Sequence, residues 1–536
     1  MIDSSAAYKA AVTGDARRVL LRAVVDIIDP DMVLGEPTSS GFSPLAKPEQ
    51  LHDKVFALDS DYITLELNRW ALDGTAYGVP SDPQQLPGQV AGVTAALSDG
   101  DGLVDGAWMD LPFTNTSILQ ACAVYFSDFS LDGVPEEFTV EIMQGSTVGY
   151  TQAFTGNTAD RVFLTGFTVT DPTSIRVTVT KWSLPSRRVR VAEIVPGIYE
   201  VWDNDIIAAF DVKQQGDVSC LSLPYGTCTL TIDNVDRRFE PRNKAGVFQS
   251  LEERQGIEVS LGVRLPDRSA EYKPVGMFYQ YSGGWRTGNN DLTMQWSLVD
   301  IIGLIADRSF TPPSPLPTTL GGWMQAIVSH LGTNFANDYT LDASLAGTSV
   351  VANSAEDVTG KTCGEILRCA CMAAGVWPRA DAQTGKLTAA AFGTAGSRVT
   401  LDNLSGYPVL KSNQDVAAIV FTLADGADTE YIVPGTSETS PTSVSVSNPF
   451  LHTTAQADAA AALILAAYGG NTVETTGRGD MAAEIGDLDV VELGGGSIAS
   501  GRRIYQTFVM QDGVLQGCQS TLQRAAIGAA DAEVMA

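Results

Sequence analysis

The sequence predicts a mainly β, multidomain α+β protein, with small β-barrels, sheet-plus-helix domains and an inserted β-sandwich. Three observations carry this expectation. The chain has 536 residues, more than one hydrophobic core organises, which suggests about three to five domains. Its 51 Gly and 25 Pro favour many short strands and turns over a helical bundle. Several segments alternate between apolar and polar residues. In Ser174–Thr180, Ile175, Val177 and Val179 share one face and Arg176, Thr178 and Thr180 the other.

Charge and motif content narrow the function. The 63 acidic and 34 basic side chains give a net charge of −29. That argues against sequence-specific nucleic-acid binding and against an anionic membrane surface, since both need basic patches. No apolar run reaches the roughly 18 residues of a membrane span, and the polar, acidic opening Met1–Ser5 does not read as a signal peptide. The cysteines at 122, 220, 228, 363, 369, 371 and 518 are odd in number and scattered. They read as reduced, buried thiols of a protein made in a cytosol. Cys363, Cys369 and Cys371 fall in a helical stretch without a second ligand set, so no metal is expected. His52, His330 and His452 form no HExxH-type motif. No Walker A loop, GxSxG elbow or GxGxxG following a strand is present. Acid pairs such as Asp99 and Asp101, or Glu252 and Glu253, arise by chance among so many carboxylates. The expectation is a non-enzyme without catalytic residues, cofactor or metal.

In chain order, Ala6–Val19 is a helical candidate, and Arg17–Asp29 reads as a buried strand pair or one long strand. Gly35–Lys47 is a Ser/Pro/Gly-rich loop. Residues 1–88 form the N-terminal part of a first domain, and 89–185 the sandwich, with strands at Phe138–Met143 and Ser174–Thr180. Trp108, Tyr125, Tyr150 and Trp182 are candidate sugar-stacking aromatics, with the sandwich core or a domain seam as the alternative. Arg187, Arg188 and Arg190 form a basic cluster, read either as a solvated strand face or as an intersubunit contact. Residues 186–312 form a barrel domain. Within it, Thr227–Asp233 alternates, with Cys228, Leu230 and Ile232 on one face, before a polar turn. In that turn Phe239 is the plug and Arg237, Arg238 and Arg242 stay near the surface. Thr311–Pro317 is an extended linker. An α+β domain follows at 313–405, with Trp323, Ala326, Ile327, His330 and Leu331 on one helix face. There Thr362 and Glu365 make a capping box and Trp377–Thr388 makes a hairpin. Residues 406–525 form a C-terminal barrel, including a helix capped by Thr453 and Gln456, and 526–536 a flexible tail.

The motifs resemble those of tail-tip, or baseplate hub, proteins of tailed bacteriophages. One strand ends in Ile232, Asp233, Asn234 and Asp236, and continues through Phe239, Pro241, Asn243 and Gly246 to Arg254-Gln255-Gly256 and Val259. Asn68, Trp70, Leu72, Asp73 and Gly74 match the family's opening. Lys181–Ile194 matches the run that closes its galactose-binding-like jelly roll. Gly375 to Leu387, Asn448-Pro449 and Gly479–Asp487 match later segments. The last makes the Arg-Gly-Asp tripeptide at 478–480 part of a strand pair rather than an adhesion signal. The resemblance spans nearly the whole chain, and the order of the motifs is its specific feature.

The resemblance implies a structural protein of the virion tail tip, made and assembled in the bacterial host cytoplasm. It would form a homotrimeric ring closing the tail tube. Its partners would be the distal tail protein, the tape-measure protein and a tail fibre or spike, with a host surface glycan as a candidate ligand of the sandwich. It would act in host attachment and DNA ejection, and an acidic lumen would let DNA pass without sticking. Some family members carry a peptidase or wall-degrading domain after the hub, for which no room is expected past the last strand. The alternatives are a carbohydrate-binding adhesin, a hexameric distal tail protein, and a hydrolase with an unrecognised acid pair.

Overall fold

The computed structural model describes residues 2–14, 17–28, 32–53, 66–67, 91–116, 118–127, 131–235, 237, 256–288, 292–332, 338–391, 396–413, 415–426, 428–432, 442–511 and 513–529. The chain is mainly β with a smaller helical part, an α+β protein as expected. It divides into two compact units. One comprises Val25–Glu200 and Asp236–Leu251; the other comprises Met1–Val24, Val201–Val235 and Glu252–Ala536.

The first of these units is built on period-two alternation. Strand Ser174–Trp182 lies between Leu103–Thr114 and Pro135–Gln144, and Thr147–Phe154 follows on the outside. Ile175, Val177 and Val179 are buried. They stand opposite Leu111, Met109 and Ala107 on one side and Ile142, Val140 and Phe138 on the other. A second sheet, of Ile118–Tyr125 between Arg161–Thr170 and Glu193–Val195, adds Cys122, Val124, Val162 and Leu164 to the same core. Each such fully buried aliphatic side chain contributes about 1.5–3 kcal/mol of transfer free energy.

The expected boundary at 185 falls inside this unit. Arg188–Val191 pairs with Gly92–Leu97, and Glu193–Val195 with Ile118–Tyr125. Val189, Val191 and Ile194 belong to the core, so burial carries the chain past the turn at Pro185.

In the other unit the opening helix is shorter than expected, Ala6–Thr13. Ser5 caps it by accepting from the Tyr8 N–H, and Gly14 closes it on the Ala10 carbonyl. The apolar, partly β-branched run that follows is one strand, Val19–Ile28.

The main sheet places Thr227–Asp233 between Ile207–Gln215 and Thr293–Val299. Cys228, Leu230 and Ile232 are buried. In register with them are Val212, Phe210 and Ile207 on one neighbour and Leu298, Trp296 and Met294 on the other. The free edge of Ile207–Gln215 takes up Ser497–Gln511, which pairs in turn with Val514–Ala529. Strands expected in two barrels, 186–312 and 406–525, thus lie in one sheet. Alternation fixes the two faces of a strand but not the strand it will meet. The last strand also runs to Ala529, beyond the expected start of the tail at 526.

Helices Ile301–Ile305, Leu320–Val328, Cys363–Ala373 and Thr454–Ala467 share one core with two small sheets. Trp323 is fully buried; its Nε1 donates to the Val350 carbonyl at 2.9 Å and its ring meets Phe450 edge-on at 4.9 Å. This core includes Phe310 and Leu320, on either side of the expected linker at 311–317. Both capping boxes form, Thr362 with Glu365 and Thr453 with Gln456. The hairpin of Trp377–Ala380 and Leu387–Ala390 closes on Asp381, whose Oδ1 accepts from Thr384 N and Oγ1 at 2.7 and 2.8 Å.

Candidate interaction surfaces

The candidate aromatics do not converge. Trp182 is 1% exposed and its Nε1 donates to the Asp132 carbonyl at 2.7 Å, so it is a core residue and cannot stack on a ligand. Tyr150 lies flat on Phe167 at 4.4 Å, against the sandwich core. Tyr125 meets Phe163 edge-on at 6.0 Å in the other sheet. Trp108 lies on the outer side of its strand, alternate to the buried Ala107 and Met109. The Arg176 guanidinium sits 4.7 Å from its ring centre and is held 3.3 Å from Asp110, which also accepts from Ser174 Oγ at 2.9 Å. One stacking surface of Trp108 is therefore met by this cation.

The basic cluster at 187–190 is turned mostly inward. Arg190 is 4% exposed. Its Nη1 donates to Glu66 Oε1 at 2.8 Å, and its Nε lies 3.8 Å from Asp132 Oδ1. Burial works against the Arg190 charge, but the hydrogen bond it donates to Glu66 and the charges of Asp132 and Glu66 outweigh it and hold the guanidinium above its ordinary range. Arg187 is 5% exposed and donates through Nε to the Leu131 carbonyl at 2.6 Å. Arg188 is half-buried; its N–H donates to Glu66 Oε1 at 2.7 Å and its guanidinium to the carbonyls of Thr94 and Ala95. Arg187 and Arg190 thus bond to residues of their own unit and are buried, not a solvated strand face. Glu66 was missed at the sequence level. Its signal is an acid among the apolar residues of Tyr62–Leu67.

Arg237 is exposed in the left-handed region, φ 57°. Arg238 and Arg242 lie outside the described residues, as do Phe239 to Gly246 and the motif from Asn68 to Gly74.

The Arg-Gly-Asp tripeptide belongs to a loop after strand Asn471–Gly477, not to a strand pair. Arg478 donates to the Gly14 carbonyl at 2.7 Å, and Asp480 accepts from Ala482 N and Tyr8 Oη. Gly479 has φ 68°, and a Cβ there would collide with Cys518. The tripeptide is a folding element of this loop.

The main sheet presents a polar face. Thr229 and Thr231, with Asp211 and Ser297, point away from the core. With Gln295, Arg286 and Gln511 they line an open concavity of about 590 Å³.

Nucleophile and base chemistry finds little here. His330 accepts from the Thr311 N–H through Nε2 at 2.9 Å, so its Nδ1 carries the proton that meets the Ala326 carbonyl at 2.8 Å. Burial pushes the Cys363 and Cys518 thiols up to about 11, away from the thiolate a nucleophile needs. Among the described residues no group of three or more His, Cys, Asp or Glu is placed to hold a metal ion. No helix among them is long and apolar enough to cross a membrane.

Fold and surfaces together define a mainly β, multi-sheet protein. No protein-family model matches the chain, and no curated protein matches it. Solved structures do. A tail protein from Neisseria meningitidis MC58 is similar at 15% identity and TM-score 0.41, over 59% of this chain and 92% of that one. The 43 kDa tail protein of prophage MuSo2 from Shewanella oneidensis is similar at 14% identity and TM-score 0.37, over 61% and 95%. A component of the E. coli type VI secretion system, described as structurally similar to the T4 bacteriophage tail proteins gp27 and gp5, is similar at 11% identity and TM-score 0.35, over 59% and 73%.

Proposed function

We propose that this chain is a structural tail-tip hub protein of a tailed phage or phage-like particle. It would form a homotrimeric ring that closes the tail tube and joins it to the distal tail protein, the tape-measure protein and a central fibre or spike. The observation that carries the reading is the order of the motifs along the sequence. It is supported by where two of them fall. Thr227–Asp233 occupies the middle of the main sheet, and the sandwich interrupts the other unit between Val24 and Val201.

A ring closes when each subunit offers two different, complementary faces. The polar face around Thr229, Ser297 and Gln295 suits such a contact: its hydroxyls and amides can pair across an interface, and Asp211 and Arg286 on the same concavity would meet opposite charges of the neighbour. The role is architectural rather than catalytic. Carboxylates facing the passage would repel DNA phosphates during ejection; replacing them by lysine would slow ejection.

The mass of the purified chain in light scattering tests the reading. A trimer, or a monomer that becomes trimeric on a distal-tail ring, is expected. A stable hexamer would replace the hub by the distal tail protein, and a monomer that ignores such a ring would overturn the assembly role. A second reading, glycan binding by the sandwich, attaches to Trp108, the outward aromatic beside Arg176 and Asp110. A glycan array probed with wild type and with Trp108→Ala tests it.

A further inference from the structure

We infer that strand Thr147–Phe154, at the edge of the sandwich, is a docking site for an extended segment of a neighbouring protein that carries Lys or Arg at alternate positions with apolar residues between them. The segment would add as one more strand of the sheet.

The edge is open. Thr147–Phe154 is the last strand of its sheet and pairs with Pro135–Gln144. Tyr150 and Phe154 are half-buried and its other residues are exposed. Among the described residues its backbone makes no bond beyond that pairing, except that the Ala153 carbonyl accepts from Gln152 Nε2 at 3.1 Å. Such a strand presents a row of outward N–H and C=O groups, which another extended chain matches. Exposed edges are commonly blunted by charge, proline or brevity. Strand Val409–Ser412, at one end of the main sheet, is short and carries Lys411. Thr147–Phe154 has none of these devices: Ile142–Ala159 contains no Asp, Glu, Lys, Arg or Pro.

The two sides of the sheet beside this edge set the chemistry of the segment. On the core side, Tyr150 stacks on Phe167 at 4.4 Å and Phe154 on Phe138 at 4.6 Å. Apolar residues at alternate positions of an added strand would cover the surface that these half-buried rings leave open. On the outer side, Thr151 and Ala153 stand opposite Glu141 and Thr139. Arg176 and Lys181 stand opposite Glu141 and Glu137 on the next strand, but they reach instead to Asp110 at 3.3 Å and Glu136 at 2.9 Å. Lys181 also feels the Glu137 charge, without a bond between them. Glu137 and Glu141 are thus left without an ion pair among the described residues, in a chain of net charge −29. An added strand would lie two strand spacings from them, about 10 Å. A Lys or Arg stem crosses that gap over the small side chains of Thr151 and Ala153.

The edge belongs to the single chain, so its test does not rest on ring assembly. The full chain is titrated into a fluorescein-labelled octapeptide of alternating Lys and Val and followed by anisotropy. Saturable binding is expected that weakens with added salt. The same peptide with its backbone amides N-methylated keeps the charge but loses the donors, and is expected not to bind. The double variant Glu137→Gln with Glu141→Gln preserves side-chain shape and is expected to weaken binding about threefold or more. Hydrogen exchange of the complex should slow at the amides of Thr147–Phe154. No saturable binding, equal binding of the methylated peptide, unchanged affinity in the double variant, or protection that misses Thr147–Phe154 would each overturn the proposal. A doubled mass in light scattering, with peptide bound only after dilution to the single chain, would give the edge to a second copy and overturn the assigned occupant.

Discussion

Arg503 Nη2 lies 2.6 Å from Asp489 Oδ2, and the two side chains are 2% and 0% exposed. The pair sits in a wider network. Asp489 Oδ1 accepts from Ser397 N at 2.8 Å, and Arg503 Nη1 donates to Gln506 Oε1 at 2.8 Å. Gln506 Nε2 reaches the Ala483 carbonyl and Gln214 Oε1. Strand Ser497–Gln511 is thereby tied to Asp489 of strand Leu488–Gly494, to Ala483 in the loop before it and to strand Ile207–Gln215.

Breaking this pair on one side strands a charge in a dry interior. Arg503→Met is expected to cost about 3–5 kcal/mol, whereas the double variant Arg503→Met with Asp489→Leu should recover much of the loss. Denaturant midpoints of the wild type and the two variants check this. A single variant as stable as wild type would mean that the interior admits water to Asp489.

Asp300 gives the fold a pH dependence. Its carboxylate caps helix Ile301–Ile305, accepting from Gly303 N at 2.9 Å and Gly226 N at 2.6 Å. Burial raises its pKa to about 6 in spite of those bonds. An unfolded aspartate titrates near ~3.9, so the native state holds the proton more tightly. The stabilisation linked to this proton is fully present below ~3.9 and is lost as pH rises through about 6. Asp300→Asn removes the titration and turns an amide donor toward one of the two N–H groups, a cost of about 1–3 kcal/mol. The difference in thermal midpoint between wild type and Asp300→Asn should therefore be larger at low pH and shrink as pH rises through about 6. A constant difference would count against the shifted carboxyl.

Two tryptophans in one unit should behave oppositely. Trp182→Ala empties a core site and is expected to cost about 3–5 kcal/mol. Trp108→Ala loses an outward ring and the Arg176 contact, about 1 kcal/mol. Melting of the full chain, followed by near-ultraviolet circular dichroism, separates them, and equal effects would contradict the assigned faces.

Thr362→Ala removes an N-cap whose Oγ1 accepts from Glu365 N at 3.1 Å, while the Thr362 N–H loses none of its bond to Glu365 Oε2 at 2.8 Å. About 1 kcal/mol of stability should go, read as a lower denaturant midpoint. Thr362→Ser should restore most of it.

Local features were legible in the sequence because their causes are local. The buried faces of Ser174–Trp182 and Thr227–Asp233 follow from alternation, and the starts of two helices from Thr362 with Glu365 and Thr453 with Gln456. Partners far apart in sequence were not legible. Glu66 and Arg190 are 124 residues apart, and nothing in either segment names the other. The same holds for the pairing of Ile207–Gln215 with Ser497–Gln511, which merges two expected barrels. The Arg187–Arg190 cluster looked like a surface because charge usually is one; burial reversed it where an acid from a distant segment was at hand.

That merged sheet has a consequence for how the protein is made. Ile207–Gln215 leaves the ribosome long before Ser497–Gln511, the strand that covers its edge. During that interval the nascent chain carries an open row of backbone donors and acceptors, able to pair with any passing strand. Contacts between such distant segments also form slowly. The cell must therefore keep a half-made sheet from finding the wrong partner until translation is nearly over. A premature stop before residue 497 would remove the covering strand altogether and send the product to aggregation or proteolysis.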